Sequence, residues 1–183
     1  NLMTGATEIG QGADTAFAQM VSETLGVAYE NIHVISTQDT DITPWDPGAY
    51  ASRQTYTCAP AVHAVADELR RKLLCYAAEM TGHTPAALTI APTAQGDAVV
   101  FVRNAESVVV TLHDLAMDSF YNKDRGGQLS AEASFKTRQN PPSFGGCFAE
   151  VEVDIELCKV RITHILNVHD AGVIINPALA TAQ

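Results

Sequence analysis

Ala149-Glu150-Val151-Glu152-Val153-Asp154-Ile155 is the stretch on which the fold turns. Strict alternation of apolar and acidic residues puts Ala149, Val151, Val153 and Ile155 on one side of a strand. The pattern predicts one buried face and one wet face. Past a turn at 156–159, Val160, Ile162, Leu166 and Val168 alternate with Arg161, Thr163 and Asn167, which predicts the returning strand of an antiparallel hairpin. An apolar strand face needs a second layer to cover it, so the rest of the chain has to supply helices.

Upstream, 139–146 (Gln-Asn-Pro-Pro-Ser-Phe-Gly-Gly) reads as a loop and 131–136 as a further strand. Residues 86–91, 98–102 and 107–110 read as short strands, with turns at Gln95-Gly96-Asp97 and Arg103-Asn104-Ala105-Glu106 between them. Thr111 is placed to cap a short helix over 112–120, with Asp114 completing a capping-box-like pattern. The longest helical stretch is 52–81, where Val62, Val65, Leu69, Leu73, Tyr76 and Met80 form one stripe and Gly82 ends it. Pro60 lacks the N–H that a helix interior needs, so a kink, or a helix starting near Ala59 with a separate turn before it, is expected.

Nearer the start, Phe17, Met20, Val21 and Leu25 mark an amphipathic helix over 14–25 that Gly26 can close. A strand over 31–36 follows, then a polar loop over 37–50 containing Pro44, Pro47 and Gly48, long enough to suggest a function. Helices and strands in this order indicate an α+β fold, a two-layer sandwich of helices on a mixed β-sheet, with two sublobes covering about 1–82 and 83–183.

With 46% hydrophobic residues in 183, the chain can bury a sizeable core. Acidic residues outnumber basic ones 21 to 11, for a net charge of -10, and Arg70-Arg71-Lys72 is the only dense basic run; both argue against nucleic acid as a partner. No apolar run is long enough to span a membrane, and the opening residues do not form a secretory signal. Cys58, Cys75, Cys147 and Cys158 form no CxxC pair, and read as buried structural thiols of a reducing cytoplasm. Without a Met at position 1 or a polar tail at Gln183, the chain is expected to be a piece of something longer.

Gly5-Ala-Thr-Glu-Ile-Gly-Gln-Gly12 leads into the first helix and superficially matches a phosphate loop. Gln11 stands where that loop needs Lys, and Gly12 where it needs Ser or Thr, which excludes nucleoside triphosphate hydrolysis. What remains is an amide side chain between glycines at a helix start, where free N–H groups and the helix dipole could receive an anion or a polar heterocycle. Pro47-Gly-Ala-Tyr-Ala-Ser-Arg-Gln-Thr55 is the second candidate: small residues admit a ligand to the backbone, and Ser52, Gln54 and Thr55 supply donors. His113-Asp114 and His169-Asp170 suggest metal-dependent phosphohydrolases, but His164 and His169 fall on opposite faces of one strand, so no metal site is expected there.

Glu8-Ile-Gly-Gln-Gly12, Ala51-Ser-Arg-Gln-Thr55, the hairpin residues Val151-Glu-Val-Asp154, and His169-Asp-Ala-Gly172 followed by Asn176-Pro177 and Gln183 occur in one order. In that order and spacing they resemble the molybdenum-cofactor-binding subunit of the xanthine dehydrogenase and aldehyde oxidase family, across nearly the whole chain. The resemblance implies that the Gly-Gln-Gly turn and the Ala-Ser turn wrap a molybdopterin, or its dinucleotide form, that carries molybdenum. It points to Ile9, Gly10, Gln11 and Gly12, to Ala49, Tyr50, Ala51, Ser52 and Gln54, and to Gln183 as cofactor-binding residues. A pterin edge takes amide donors and acceptors, and a pyrophosphate takes backbone N–H groups at helix starts.

The resemblance further implies hydroxylation of a purine, N-heterocycle or aldehyde with water as oxygen source, electrons leaving through 2Fe-2S clusters to FAD on partner subunits or domains. It places an Arg- and Gly-rich substrate segment before Asn1 and a Gly-Glu-Pro segment bearing the base after Gln183. No catalytic residue is therefore expected within the chain, which alone should be inactive and prone to self-association. Leu157-Cys158 stands where the family has Thr-Gly in the hairpin turn. A non-catalytic binding or assembly module of the same fold is the alternative from a different class.

Overall fold

The computed structural model describes residues 1–94, 98–103, 105, 107–139 and 141–183. They form two compact units, Asn1–Lys136 and Thr137–Gln183. The boundary expected near Gly82 thus lies inside the first unit, because the strands that follow Gly82 pack on the long helix before it.

In the first unit, β1 (Leu2–Met3) pairs in parallel with β2 (Val34–Ile35) through α1 (Ala13–Leu25). The strand expected over 31–36 is shorter, since Tyr29–Asn31 forms a 3-10 turn. The long helix begins as a π-helical turn, Gln54–Cys58, and becomes α2 at Ala59–Thr81. Pro60 falls in the first turn of α2, directly after the π turn, so the residue without an N–H stands where the wide turn gives way to regular α-helix. Strands β3 (Leu88–Pro92), β4 (Ala98–Val102) and β5 (Val108–Thr111) form an antiparallel sheet, and α3 (Leu112–Tyr121) follows. Thr111 caps α3 as its sequence indicated, accepting the Asp114 N–H at 3.0 Å.

Helix α1 packs on α2, and α2 on the sheet. Phe17, Leu88, Val100 and Leu115 are the largest fully buried side chains. Of the stripe on α2, Val62, Leu73 and Tyr76 are buried, while Val65, Leu69 and Met80 pack half-buried against the same core. Gly26 ends α1 with φ 77°, and a Cβ there would overlap the Ile90 carbonyl oxygen of β3. Only glycine satisfies both the left-handed turn and the close approach. The basic run faces inward or pairs locally: Arg70 donates to the Leu25 carbonyl (2.7 Å) and to Thr89 Oγ1 (3.0 Å), and Arg71 meets Glu68 at 2.7 Å.

In the second unit, β6 (Phe144–Asp154) and β7 (Lys159–Asp170) form the antiparallel hairpin, followed by α4 (Pro177–Ala182). Among the described residues of 137–183 none is buried. Both faces of the hairpin are open, against the expected buried face: Val153 is 60% exposed and Phe148 66%. A bulge also breaks the alternation. Val151 pairs with Ile162 but Glu150 with His164, leaving Thr163 as the extra residue. Val160 and Ile162 therefore share a face with Val151 and Val153, whereas Leu166 and Val168 fall on the opposite face with Phe148, not on one common side.

The α+β class holds, its strands lying in one parallel and two antiparallel sheets among the described residues. Residues 131–136 form no strand, and the loop expected over 139–146 ends early because β6 starts at Phe144. The turn at 95–97 lies outside the described residues, as do Asn104, Glu106 and Asn140. Cys58 is buried and Cys75 half-buried, but Cys147 and Cys158 are exposed, since both belong to the uncovered hairpin segment. No described helix is long and apolar enough to cross a membrane.

Candidate cofactor-binding site

The turn between β1 and α1 is organised by side chains bonding back to their own backbone. Gln11 folds over it: Oε1 accepts the Ile9 N–H at 2.7 Å, and Nε2 donates to the Thr7 carbonyl at 2.8 Å. One N–H and one lone pair of the Gln11 amide remain for another group. Gly10 and Gly12 both take left-handed backbone, which reverses the chain tightly enough for Gln11 to reach Thr7.

Glu8, which the sequence reading passed over, caps this turn. Its Oε1 accepts the N–H groups of Gly10 (2.7 Å) and Gly12 (3.1 Å), and its Oε2 accepts that of Asp14 (3.1 Å). Burial pushes the Glu8 carboxyl up, but bonds from the backbone of Asp14, Gly12, Gly10 and Ala13 outweigh it and hold the group below its ordinary value. The expectation of free N–H groups at this helix start is corrected: the helix receives its anion from within. An acidic residue just before a helix was the signal that could have found it.

The second segment approaches the first through two contacts. A Cβ on Gly5 would overlap the Pro44 carbonyl oxygen, so a glycine is required where the long loop crosses the end of β1. Gln54 Nε2 donates to the same Thr7 carbonyl that Gln11 uses, over 3.5 Å. One backbone oxygen thus gathers two amide side chains, one 4 and one 47 residues further along the chain. Gln54 is buried, and its Oε1 has no hydrogen-bond partner.

Asp46 and Arg53 hold the second segment in shape. Arg53 Nη1 lies 2.6 Å from Asp46 Oδ1 and 3.0 Å from the Gly48 carbonyl, and its guanidinium stands 5.6 Å from the Tyr50 ring centre. Burial, and then the facing Asp46 carboxylate, push the Cys58 thiol up, so it is not poised as a nucleophile. Ala51 (φ 49°) and Ser52 (φ 54°) are both left-handed, a conformation costing roughly 1–2 kcal/mol per non-glycine residue, and the π turn follows immediately. Backbone strain of this kind concentrates where a chain is shaped for a ligand. Neither the strain nor the Asp46–Arg53 pair follows any sequence periodicity, so the sequence gives no sign of them.

Ile9, at 68% exposed, and Gly10 stand on the outer side of the first turn; Ala51, Ser52 and Tyr50 are exposed on the second, with Ala49 half-buried. Gln183 belongs to the second unit, one residue beyond α4, where its N–H donates to the Leu179 carbonyl at 3.2 Å. A molybdopterin is tested here by the chemistry of the donor set. A pterin edge carries N–H groups that the orphaned Gln54 acceptor lacks, and the spare valences of Gln11 suit the same edge, so these residues fit.

Residues 1–183 match the family described as the molybdopterin cofactor-binding domain, and the chain belongs to that family. It is 55% identical over 183 residues to the xanthine dehydrogenase molybdenum-binding subunit of Escherichia coli O157:H7, covering all of this chain and 24% of that protein. To the nicotine 6-hydroxylase large subunit of Paenarthrobacter nicotinovorans it is 27% identical over 187 residues, covering 100% of this chain and 22% of that one. Its fold matches CO dehydrogenase from Oligotropha carboxidovorans with a TM-score of 0.77 at 25% identity, over 97% of this chain and 22% of the other. It matches quinoline 2-oxidoreductase from Pseudomonas putida 86 with a TM-score of 0.78 at 21% identity, over 98% of this chain and 23% of that one. The chain thus spans about a quarter of the length of the curated relatives it matches.

Proposed function

We propose that this chain is the part of a cytoplasmic molybdenum hydroxylase of the xanthine dehydrogenase type that receives the molybdopterin. In the whole protein the cofactor, when bound, supplies the two-electron oxidation of a purine, N-heterocycle or aldehyde, with water as the oxygen source. The chain's own contribution is to bind and orient. Gln11 and Gln54 offer amide groups from one side, and Ile9, Gly10, Gly12, Ala49, Tyr50, Ala51 and Ser52 line the two turns around them. Gln183 is the remaining residue that the family resemblance assigns to the cofactor. The substrate-binding residues and the base come from the rest of the subunit, and 2Fe-2S and FAD partners carry the electrons away.

The observation that carries this reading is the buried Gln54 Oε1 without a partner. Leaving a buried acceptor unsatisfied costs about 1–3 kcal/mol, a deficit that a ligand N–H would remove. Gln54→Met in the full-length protein keeps the volume and discards the acceptor. The apoprotein should be as stable as the parent or more so, while molybdenum retention falls about ten- to hundred-fold. Full molybdenum content in this variant, measured beside its thermal midpoint, would overturn the reading. Gln11→Ala should also lose molybdenum, but with a lowered midpoint, because Gln11 braces the turn as well.

A further inference from the structure

The Glu8 carboxylate binds three backbone N–H groups at the start of α1, two of them on the glycines that flank Gln11. Among the described residues the bonds to Glu8 come from the turn and the first residues of α1, so the arrangement belongs to the turn itself. It has two consequences. Gly10 and Gly12 are fixed against one oxygen atom, which fixes the backbone carrying Gln11 between them. The same oxygens occupy the places a phosphate would need, and they put a negative charge in front of any anion that approaches.

We propose that Glu8 is the positioning residue of this turn and its anion filter: it holds Gln11 toward a neutral, hydrogen-bonding edge and keeps phosphate groups away from the start of α1. This rests on the cofactor reading above and divides the cofactor between the two segments. The heterocyclic edge meets the first turn, and the phosphate-bearing end lies away from it. Glu8 touches no ligand itself and acts through the backbone of Gly10 and Gly12.

Three variants of the full-length protein test this. In Glu8→Ala the freed N–H groups should bind inorganic phosphate: hydrogen exchange across residues 8–16 of the apoprotein should slow on phosphate addition, at concentrations at least ten-fold below any effect in the parent. A residue that only braced the fold would not produce this gain. Molybdenum content in Glu8→Ala should fall about ten-fold. Glu8→Gln keeps an oxygen over Gly10 and Gly12 and should retain at least half of the molybdenum, and Glu8→Asp, one methylene short, should resemble Glu8→Ala. A Glu8→Ala protein with the parent's phosphate response overturns the filter, and Glu8→Gln losing as much molybdenum as Glu8→Ala overturns the positioning role. If Gln54→Met keeps full molybdenum, the cofactor reading fails instead, while the phosphate arm still decides the filter.

Discussion

The two units are built from similarly patterned segments and differ in what covers them. In Asn1–Lys136, β4 places Val99 and Val100 under helices and other strands, and both are buried. In Thr137–Gln183, β6 carries a cleaner alternation of apolar and charged residues, yet Val151 and Val153 remain open to solvent at 47% and 60%. Alternation tells which residues share a face; burial depends on a second layer that the local pattern does not encode.

The contrast can be tested with one substitution in each unit. Phe17→Ala should cost about 3–5 kcal/mol in denaturant unfolding, because Phe17 is fully buried between packed elements. Val153→Ala should cost under about 0.5 kcal/mol and should weaken self-association of this chain, read by sedimentation. Equal costs would mean that the hairpin has a core of its own.

Ion pairs give a second, smaller contrast. Asp118 in the first unit is held at about 2, against an ordinary 3.8, by the Arg125 guanidinium first and then by the Tyr76 hydroxyl. Its folded value lies below the unfolded one, so its stabilisation is complete above roughly pH 4 and is lost as pH falls through about 2. Asp118→Asn should lower stability near neutral pH and flatten the acid limb of a stability-against-pH curve. The Glu152–Arg161 pair of the hairpin is 64% and 73% exposed, and Glu152→Gln should leave stability near neutral pH almost unchanged. An acid limb identical in Asp118→Asn and the parent would remove the distinction.

The smallest effect lies in the hairpin turn. Cys158 adopts φ 52°, which a glycine would take without strain. Cys158→Gly should stabilise the hairpin by about 0.5–1 kcal/mol, less than the strain alone because glycine loses more freedom on folding. Slower hydrogen exchange in β6 and β7 is the expected readout, and no change would show that the turn already relaxes the strain.

Much of the first unit was legible in the sequence because its signals are local. Gly26 and Gly82 end their helices, Thr111 caps the third, and Pro60 marks the start of the regular helix. The site was legible only as two short segments. What joins them, the Thr7 carbonyl and the crossing of Pro44 over Gly5, depends on residues far apart in sequence that carry no chemistry of their own. Glu8 is hidden for a different reason: its carboxylate acts on backbone N–H groups, whose partners no residue pattern specifies. The hairpin's facing failed at Thr163, since an extra residue in one strand leaves no mark on apolar spacing.

That single extra residue changes what kind of object the hairpin is. With regular pairing from the turn, Leu166 and Val168 would join Val151, Val153, Val160 and Ile162 on one side, and a lid of that kind could be held by one neighbour. With Thr163 looped out, the turn end offers Val151, Val153, Val160 and Ile162 on one side, and the base offers Phe148, Leu166 and Val168 on the other. Such a ribbon behaves as a plug, secured only when surrounded. Deleting Thr163 would remove the bulge and keep the plug, because Ile162 and Leu166, then three positions apart, would still point to opposite sides.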